Sequence, residues 1–312
     1  MSLRVRPAAP AAVAVLLSAA ACARTPAPAP ASAPAAGPTA VPLAPPAAAR
    51  TPRADSLRAA NALDSEGRTA EARAMFAALV ASAPDEAARA QARRAMAMSY
   101  AFDGDCANAE RLEQQVIAYW RTREAAEPQN AFYQQGEMAN EAARVCIDAG
   151  RLDDAERLYR LGAALGNREP APRTHPASLW DFRTEHALAR LAARRGRAAE
   201  ARAHVDMARR VLEADTAMAR QQRRFLPYLE GYVALYTGDA AGAERHLREA
   251  VAAPGNERDP YYRYLLGEAL ERQGRAAEAR AEYQRAYDLA AGGHNPPAAF
   301  TRPNARRKLA AR

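Results

Sequence analysis

Aromatic residues are scarce in this sequence: Phe, Trp and Tyr together make up 6% of its 312 residues. Sheets favour aromatic and β-branched side chains, so a sheet-based core is disfavoured. Hydrophobic residues nevertheless make up 49% of the chain, and alanine supplies much of that total. Alanine suits closely packed helices, because its small side chain lets two backbones approach each other. The composition therefore predicts an all-α protein.

Lysine is almost absent, since Lys308 is the only one in the chain. The net charge of +8 would suit nucleic-acid binding, but its distribution does not. Residues 1–52 contain four arginines and no acidic residue, and residues 295–312 contain five basic residues and no acidic one. Subtracting these nine charges from +8 leaves residues 53–294 with a net charge of −1. The basic charge thus lies at the two ends, and we expect no nucleic acid among the partners.

Catalytic motifs are also missing from the sequence. It has no G-x-S-x-G elbow, no H-E-x-x-H pair and no C-x-x-C pair, and a lysine only at 308 excludes a phosphate-loop or Schiff-base lysine in the body. Asp103-Gly104-Asp105 lacks the further oxygen ligands of a calcium loop and is interpreted as a turn with a helix cap. We expect no enzyme activity, no metal site and no cofactor. The five histidines are scattered, with no second histidine or cysteine three or four residues away: His175, His186, His204, His246 and His294.

The first 21 residues have the three parts of a secretory signal peptide. Arg4 and Arg6 form a positively charged start, and a short apolar stretch, Val13 to Leu17, follows among alanines. A stable transmembrane helix needs about 20 apolar residues, so this stretch is too short to span a bilayer. Small residues then lead to Cys22. The pattern predicts an exported chain.

The small residues that end in alanine directly before Cys22 resemble the lipobox of bacterial lipoproteins, with Ala19 in the place usually held by leucine. The resemblance implies that Cys22 becomes the lipidated first residue of a periplasmic protein. It also implies anchoring in the outer membrane, because no aspartate follows the cysteine. Ordinary signal cleavage after Ala23 is the alternative, since Ala21-Cys22-Ala23 also fits an A-x-A site.

Residues 22–52 are rich in proline and alanine, with nine prolines between residues 23 and 52. Such a segment has few apolar side chains to bury and favours extended polyproline II. At about 3.1 Å per residue, a segment of this length reaches on the order of 90 Å. We expect a disordered linker, which either holds the body away from the membrane or is a tolerated spacer.

From residue 53 onward, six glycines recur at intervals of 37, 46, 46, 42 and 36 residues. A small residue precedes each glycine by seven positions, an alanine follows by five, and a large apolar residue usually follows by nine, with Glu113 as the exception. Glycine can end a helix in the left-handed conformation, and small residues let two helices cross closely. The pattern predicts stacked helical hairpins whose bulky side chains fill the gap toward the next hairpin. The six glycines are Gly67, Gly104, Gly150, Gly196, Gly238 and Gly274.

Residues 260–290 resemble a complete tetratricopeptide repeat, with Leu266-Gly267, Leu270, Gly274, Ala279, Tyr283 and Ala286 on the defining positions of that family. The resemblance implies an all-α solenoid of about six helical hairpins, over residues 53–86, 90–122, 132–165, 182–212, 224–254 and 260–290. Insertions near 122–131, 166–181 and 213–223 depart from the family's period. Residues 295–312 are expected to add a basic capping helix that begins after Pro303.

Two cysteines remain after Cys22. Cys106 opens the second helix of the second repeat, and Cys146 lies on the first helix of the third. Adjacent repeats stack these helices, and an exported compartment is oxidising, so a Cys106–Cys146 disulfide is one expectation. Two buried free thiols are the alternative.

In tetratricopeptide repeats, the first helix of each repeat lines a concave groove that holds the partner. The resemblance therefore implies an inner face with arginines in repeats two to four and aromatic residues in repeats five and six. A partner peptide or helix would place an acidic part on the arginines and an apolar part on the tyrosines. Alternatively, the tyrosines pack between repeats and the arginines only aid solubility. The inner-face residues are Arg94, Asn140, Arg144, His186, Arg190, Arg194, Phe225, Tyr228, Tyr232, Tyr236, Tyr261 and Tyr264.

The expected function is that of a scaffold or assembly factor at the bacterial cell envelope, which binds protein or peptide partners in the groove and is tethered to the membrane by a lipid. The alternative is a regulator or carrier that holds a non-protein component, such as a glycan strand of the cell wall.

Overall fold

The computed structural model describes residues 51–311, which form fourteen α-helices and one 3-10 turn and contain no β-strand. The helices are α1 Pro52–Glu66, α2 Thr69–Ala81, α3 Glu86–Phe102, α4 Cys106–Arg121, α5 Pro128–Asp148, α6 Leu152–Gly166, α7 Ala177–Arg194, α8 Ala198–Ala214, α9 Thr216–Gln222, α10 Leu226–Tyr236, α11 Ala240–Ala252, α12 Pro260–Arg272, α13 Ala276–Leu289 and α14 Pro296–Ala310. The 3-10 turn is Arg223–Phe225.

Twelve of these helices pair into six hairpins, and each hairpin packs against the next. The all-α helical-repeat fold expected from the sequence is therefore confirmed. All six predicted glycines lie at the bends, with φ between 69° and 93°. Side chains rarely adopt this conformation, so glycine ends the first helix and lets the chain reverse. The first helices of the hairpins are α1, α3, α5, α7, α10 and α12, and the surface they share is called the inner face below.

The small residues expected at the helix crossings are buried in every hairpin. A Cβ atom at Gly267 would lie 2.6 Å from Cε1 of Tyr283, and one at Gly231 would lie 2.7 Å from Cγ of Leu247. The bulky side chain of the second helix therefore covers the small residue of its own hairpin. The sequence pattern predicts that this bulky side chain fills the gap toward the next hairpin. In the structure it packs on the small residue of its own hairpin instead.

The insertions do not interrupt the stack. Residues 213–223 include α9, a short helix that leads through the 3-10 turn into α10. The insertion near 166–181 forms a loop between α6 and α7, and these two helices still pack against each other. The solenoid thus absorbs the extra residues at its connections.

The C-terminal helix differs from the sequence prediction. It begins at Pro296, not after Pro303, and its first turn is capped by Asn295, whose side chain accepts a hydrogen bond from the Ala298 amide at 3.0 Å. Pro303 lies inside the helix and removes one backbone hydrogen bond. The buried face of α14 compensates for this loss, because the helix packs on α3, α5, α12 and α13.

A disulfide joins Cys106 and Cys146, which lie 40 residues apart in sequence. It ties the first residue of α4 to α5 and therefore links the second hairpin to the third. Both cysteines are buried in a cluster with Leu158 and Leu191.

The predicted signal peptide, Cys22 and the linker up to residue 50 lie outside the described residues. Within residues 51–311, no helix combines the length and the apolar character that crossing a bilayer requires.

Candidate partner-binding surface

The inner face contains a cavity of about 410 Å³ near the N-terminal end of α14. Four guanidinium groups line it, those of Arg144, Arg183, Arg190 and Arg224. The same cavity has aromatic walls, and we call it the arginine–aromatic cavity. The aromatic residues are Tyr159, Phe182, Phe225, Tyr228, Tyr261, Tyr262 and Phe300.

Arg190 is the most deeply buried of these arginines, with 7% of its surface exposed. Its Nε donates to the carbonyl of His186 at 3.2 Å, and its two terminal nitrogens donate to the hydroxyls of Tyr228 and Tyr159 at 3.3 and 2.9 Å. Among residues 51–311, no carboxylate forms a salt bridge with this guanidinium. Each of the two tyrosine hydroxyls accepts a hydrogen bond from Arg190, so the O–H of each tyrosine can still donate to another acceptor. The group is therefore hydrogen-bonded, but its charge has no counter-ion.

Three other arginines of the inner face, Arg94, Arg144 and Arg183, share two carboxylates on α5. Glu137 lies 3.1 Å from a terminal nitrogen of Arg144 and 2.8 Å from one of Arg183, and Glu141 accepts two hydrogen bonds from Arg94. Burial alone would raise the pKa of Glu137, but the Arg144 and Arg183 guanidinium groups hold this pKa below its usual value. Glu137 and Glu141 are thus both paired with other arginines, and neither pairs with Arg190.

Two further carboxylates line the arginine–aromatic cavity, Asp148 and Asp259. Burial raises the pKa of Asp148 to about 7, with the charge of Arg194 acting in the opposite direction. Burial raises the pKa of Asp259 to about 6, against hydrogen bonds from the amides of Tyr261 and Tyr262. Near neutral pH these acids offset only part of the positive charge of the four arginines. The cavity is consequently cationic.

The aromatic side chains pack closely with one another. The rings of Tyr228 and Tyr262 stack with centroids 4.6 Å apart, and those of Tyr232 and Tyr236 are 4.5 Å apart. Tyr232 is only 1% exposed. Several of the predicted tyrosines therefore build the wall between repeats, as the alternative interpretation of the sequence expects, while Tyr261 remains half-buried at the cavity.

The structure brings most of the twelve predicted residues together around two cavities. Seven line the arginine–aromatic cavity: Asn140, Arg144, His186, Arg190, Phe225, Tyr228 and Tyr261. Arg194, Tyr236, Tyr261 and Tyr264 line the second cavity. Arg94 and Tyr232 line neither cavity. Arg94 is exposed, and Asn140, Arg190, Tyr228, Tyr232 and Tyr264 are buried. Partner binding by these residues stays a prediction.

Sequence analysis missed several residues of the arginine–aromatic cavity, among them Arg183, Arg224, Tyr262 and Phe300. Arg183 lies one turn before His186 on α7, so helical spacing could have found it. Arg224 belongs to the 3-10 turn, which lies outside the repeat pattern. Tyr262 follows the predicted Tyr261 on α12, but it was not assigned to the inner face. Phe300 comes from α14, whose docking on the inner face depends on contacts between residues far apart in the chain.

The second cavity has a volume of about 610 Å³ and lies where first helices end. Residues of the last turns of α1, α3, α5, α7 and α10 line it, together with residues of α12 and α14. We call it the helix-end cavity. The C-terminal end of a helix carries a partial negative charge, so the convergence of these ends creates a negative potential. Arg302, Arg306 and Arg307 of α14 supply the positive charge at this place.

Comparison with known proteins agrees with this architecture. A tetratricopeptide-repeat family model matches residues 228–294, and a second one matches residues 141–160 and 183–207. No curated protein matches the chain. Tetratricopeptide repeats generally mediate protein–protein interactions and are typically non-catalytic. The matched segments cover hairpins that bend at the predicted glycines, and the chain is therefore a tetratricopeptide-repeat protein.

Proposed function

We propose that this protein is a scaffold or assembly factor of the bacterial cell envelope, which binds a segment of another protein at its inner face. The observation that carries the proposal is Arg190, a buried cation that forms no salt bridge within residues 51–311 and lies beside a cavity with aromatic walls. A buried charge is costly unless a partner compensates for it. An acidic group of a bound protein segment would provide that compensation.

The walls of the arginine–aromatic cavity define the rest of the bound segment. Phe225, Tyr261 and Phe300 offer apolar surface beside the guanidinium groups. Aromatic residues and arginines are the side chains that most often dominate the binding energy of protein interfaces. An acidic residue next to an apolar one in an extended or helical segment matches this combination.

The cellular location in the proposal depends on the N-terminal sequence. The signal peptide and the lipobox-like residues before Cys22 support export and lipid anchoring at the outer membrane. A linker with a reach on the order of 90 Å would let the anchored body meet partners away from the lipid surface. The protein would then gather envelope proteins from a fixed tether.

The binding part of the proposal is tested by charge reversal at the rim of the cavity. Arg224 is exposed and lines the cavity, whereas its exposed neighbour Arg223 does not line it. The immobilised chain is exposed to an envelope extract, and captured proteins are identified and purified for titration. We expect Arg224→Glu to weaken binding of the purified partner at least ten-fold, in the range of a lost charged contact, and Arg223→Glu to change it less than two-fold. Equal effects of both variants, or capture of glycan without protein, would overturn the proposal.

The anchoring part is tested separately by metabolic labelling with a fatty acid. We expect the wild-type chain to carry the label and Cys22→Ser to lose it. Equal labelling of the two chains, or no label on either, would remove the membrane tether from the proposal and leave the binding part standing.

A further inference from the structure

The helix α14 occupies part of the inner face itself. It packs on α3, α5 and α12, which are first helices of the second, third and sixth hairpins. It also reaches the first hairpin: Arg302 Nε donates to the carbonyl of Ser65 at 2.6 Å, and Arg306 donates to the carbonyl of Glu66 at 3.0 Å. One C-terminal helix thus contacts both ends of the repeat array. The place on the inner face that holds α14 is called the α14 seat.

The helix α14 buries mostly small side chains in its seat. Its buried residues are small apart from one aromatic, Phe300. The hydroxyl oxygen of Thr301 is buried and has no hydrogen-bond partner in the described part of the chain. Pro303 interrupts the backbone hydrogen bonding in the middle of the helix. The cavities on the inner face, of about 410 and 610 Å³, are both lined by α14. The seat therefore has room for a bulkier helix than the one it holds.

Charge determines which helix the seat accepts. Arg302 and Arg306 are spaced one turn apart and bind the last two carbonyls of α1, which have no partner within their own helix. Lys308 forms a further ion pair with Glu271 of α12. The convergent helix ends of the helix-end cavity favour cations throughout this region. The seat is consequently suited to a basic helix.

The connection to α14 allows the helix to leave without unfolding the repeats, once the contact between His294 and Asp64 of α1 is broken. Gly292 and Gly293 lie between α13 and α14, and Gly292 has a φ of 71°. Two glycines in succession give the chain many backbone conformations. A short flexible tether also keeps a released helix near its seat at a high effective concentration, so a competing helix must have more contacts than α14 has.

We propose that α14 is a resident helix that exchanges with a helix of a partner protein in the same seat. The incoming helix has the chemistry of α14: two basic residues one turn apart, beside a face with small residues and at least one aromatic side chain. This inference rests on the proposed function: the partner's acidic segment binds in the arginine–aromatic cavity, and a basic helix of the same partner binds in the α14 seat. Release of α14 also removes Pro296, Pro297 and Phe300 from the wall of the arginine–aromatic cavity. Exchange in the seat therefore replaces this part of the cavity wall with side chains of the partner helix.

The experiment uses a fluorescently labelled peptide of residues 294–311 and the full mature chain with Cys22→Ser. In one variant, Arg302→Ala is combined with Arg306→Ala, so that the resident helix loses its bonds to α1 while the added peptide retains its own arginines. The control combines Arg280→Ala with Arg285→Ala, which removes two charges from the exposed surface of α13. Neither residue lines one of the two cavities, and Arg285 pairs with Glu282 of its own helix. Peptide binding is measured by fluorescence anisotropy, and the amides of α14 and α12 are followed by hydrogen exchange.

We expect the Arg302/Arg306 variant to bind the peptide at least about ten-fold more tightly than the wild type, because its seat is free in a larger fraction of molecules. Its α14 amides should exchange faster while its α12 amides stay protected, and the control should behave like the wild type. Equal peptide binding by the two variants would overturn the proposal. Loss of α12 protection together with α14 protection would also overturn it, because α14 would then be an inseparable part of the fold.

The result is independent of the test of the proposed function. Peptide exchange requires no cellular partner, so the exchange stands if envelope capture fails. Conversely, if a captured protein depends on Arg224 and the peptide does not exchange, the proposed function stands and the resident-helix proposal fails.

Discussion

The Nε2 atom of His294 lies 2.9 Å from Oδ2 of Asp64, across 230 residues of sequence. The other oxygen of Asp64 accepts a hydrogen bond from Ser99 Oγ at 2.7 Å, and the imidazole ring packs near the rings of Phe76 and Phe102. The segment that leads into α14 is thus held in the first two hairpins. The two ends of the repeat array are therefore joined by a buried polar contact.

Substitution of this histidine should measure the strength of that contact. His294→Ala leaves Asp64, whose side chain is fully buried, with one partner fewer, and we expect the free energy of unfolding to fall by about 2 kcal/mol. His204→Ala is a suitable control, because the His204–Glu185 pair is partly exposed and should contribute at most about 1 kcal/mol. Denaturant unfolding of the two variants compares them directly. An equal loss in both would mean that the joining contact adds no particular stability.

The disulfide should stabilise the middle of the array. It closes a loop of 40 residues, for which loop-closure entropy predicts about 3–4 kcal/mol. We expect the double variant Cys106→Ala, Cys146→Ala to lose roughly this amount in denaturant unfolding. Thiol titration of the unfolded, unreduced body should detect no free thiol. Two free thiols per body would contradict the pairing.

Glu113 should destabilise the protein at neutral pH. It is 2% exposed, and one of its carboxylate oxygens has no hydrogen-bond partner among residues 51–311. Burial and the nearby charge of Glu141 raise its pKa well above the usual value of 4.5, against the effect of Arg94. The folded state therefore holds a proton that the unfolded state releases, so this residue's contribution to stability is fully present below pH 4.5 and is lost as the pH rises from there through the folded-state pKa.

Glu113→Gln removes this titration while retaining the shape of the side chain. We expect the variant to be about 1–2 kcal/mol more stable than the wild type at pH 8, with the difference shrinking toward pH 4.5. Glu110→Gln, one turn earlier on α4, is the control, since Glu110 pairs with Arg157 on the surface. Urea unfolding at several pH values gives the comparison. A pH-independent difference for Glu113→Gln would contradict the assignment.

Gly267 should tolerate no side chain. Alanine is a better helix former by about 1 kcal/mol, but its Cβ would lie 2.6 Å from the Tyr283 ring. We expect Gly267→Ala to lower the free energy of unfolding by about 1–3 kcal/mol, as overpacking does. In the background of Tyr283→Ala the same change should be neutral or stabilising. Additive effects of the two substitutions would show that the ring and the glycine do not interact.

The local parts of this structure could be predicted from the sequence. Gly67 and the five equivalent glycines define the bends, because their left-handed conformation is a property of the residue itself. The small residues beside them, such as Ala60 and Ala72, are buried because the spacing places them on one face of each helix. The stacking of neighbouring repeats made a Cys106–Cys146 disulfide one of two expectations, and the structure contains it.

The long-range parts could not be predicted. Pro303 suggested a break, yet α14 continues through it, because contacts with α3, α5 and α12 outweigh the loss of one backbone bond. Which inner-face residues are accessible also depends on α14 and on ring stacking. Tyr232 and Arg190 lie on the expected inner face, but their side chains are buried. Arg224 lines the cavity although it belongs to a connection outside the repeat pattern.

The central claim, that a protein segment binds at the inner face, is tested most directly by photo-crosslinking in cells. A photoreactive phenylalanine replaces Tyr261, which lines both cavities, or Met207, which lies on α8 and is 42% exposed. The account predicts a protein adduct at position 261 that weakens when Arg224→Glu is added, and no comparable adduct at position 207. An equally strong adduct at 207, or an adduct at 261 that does not depend on Arg224, would contradict it.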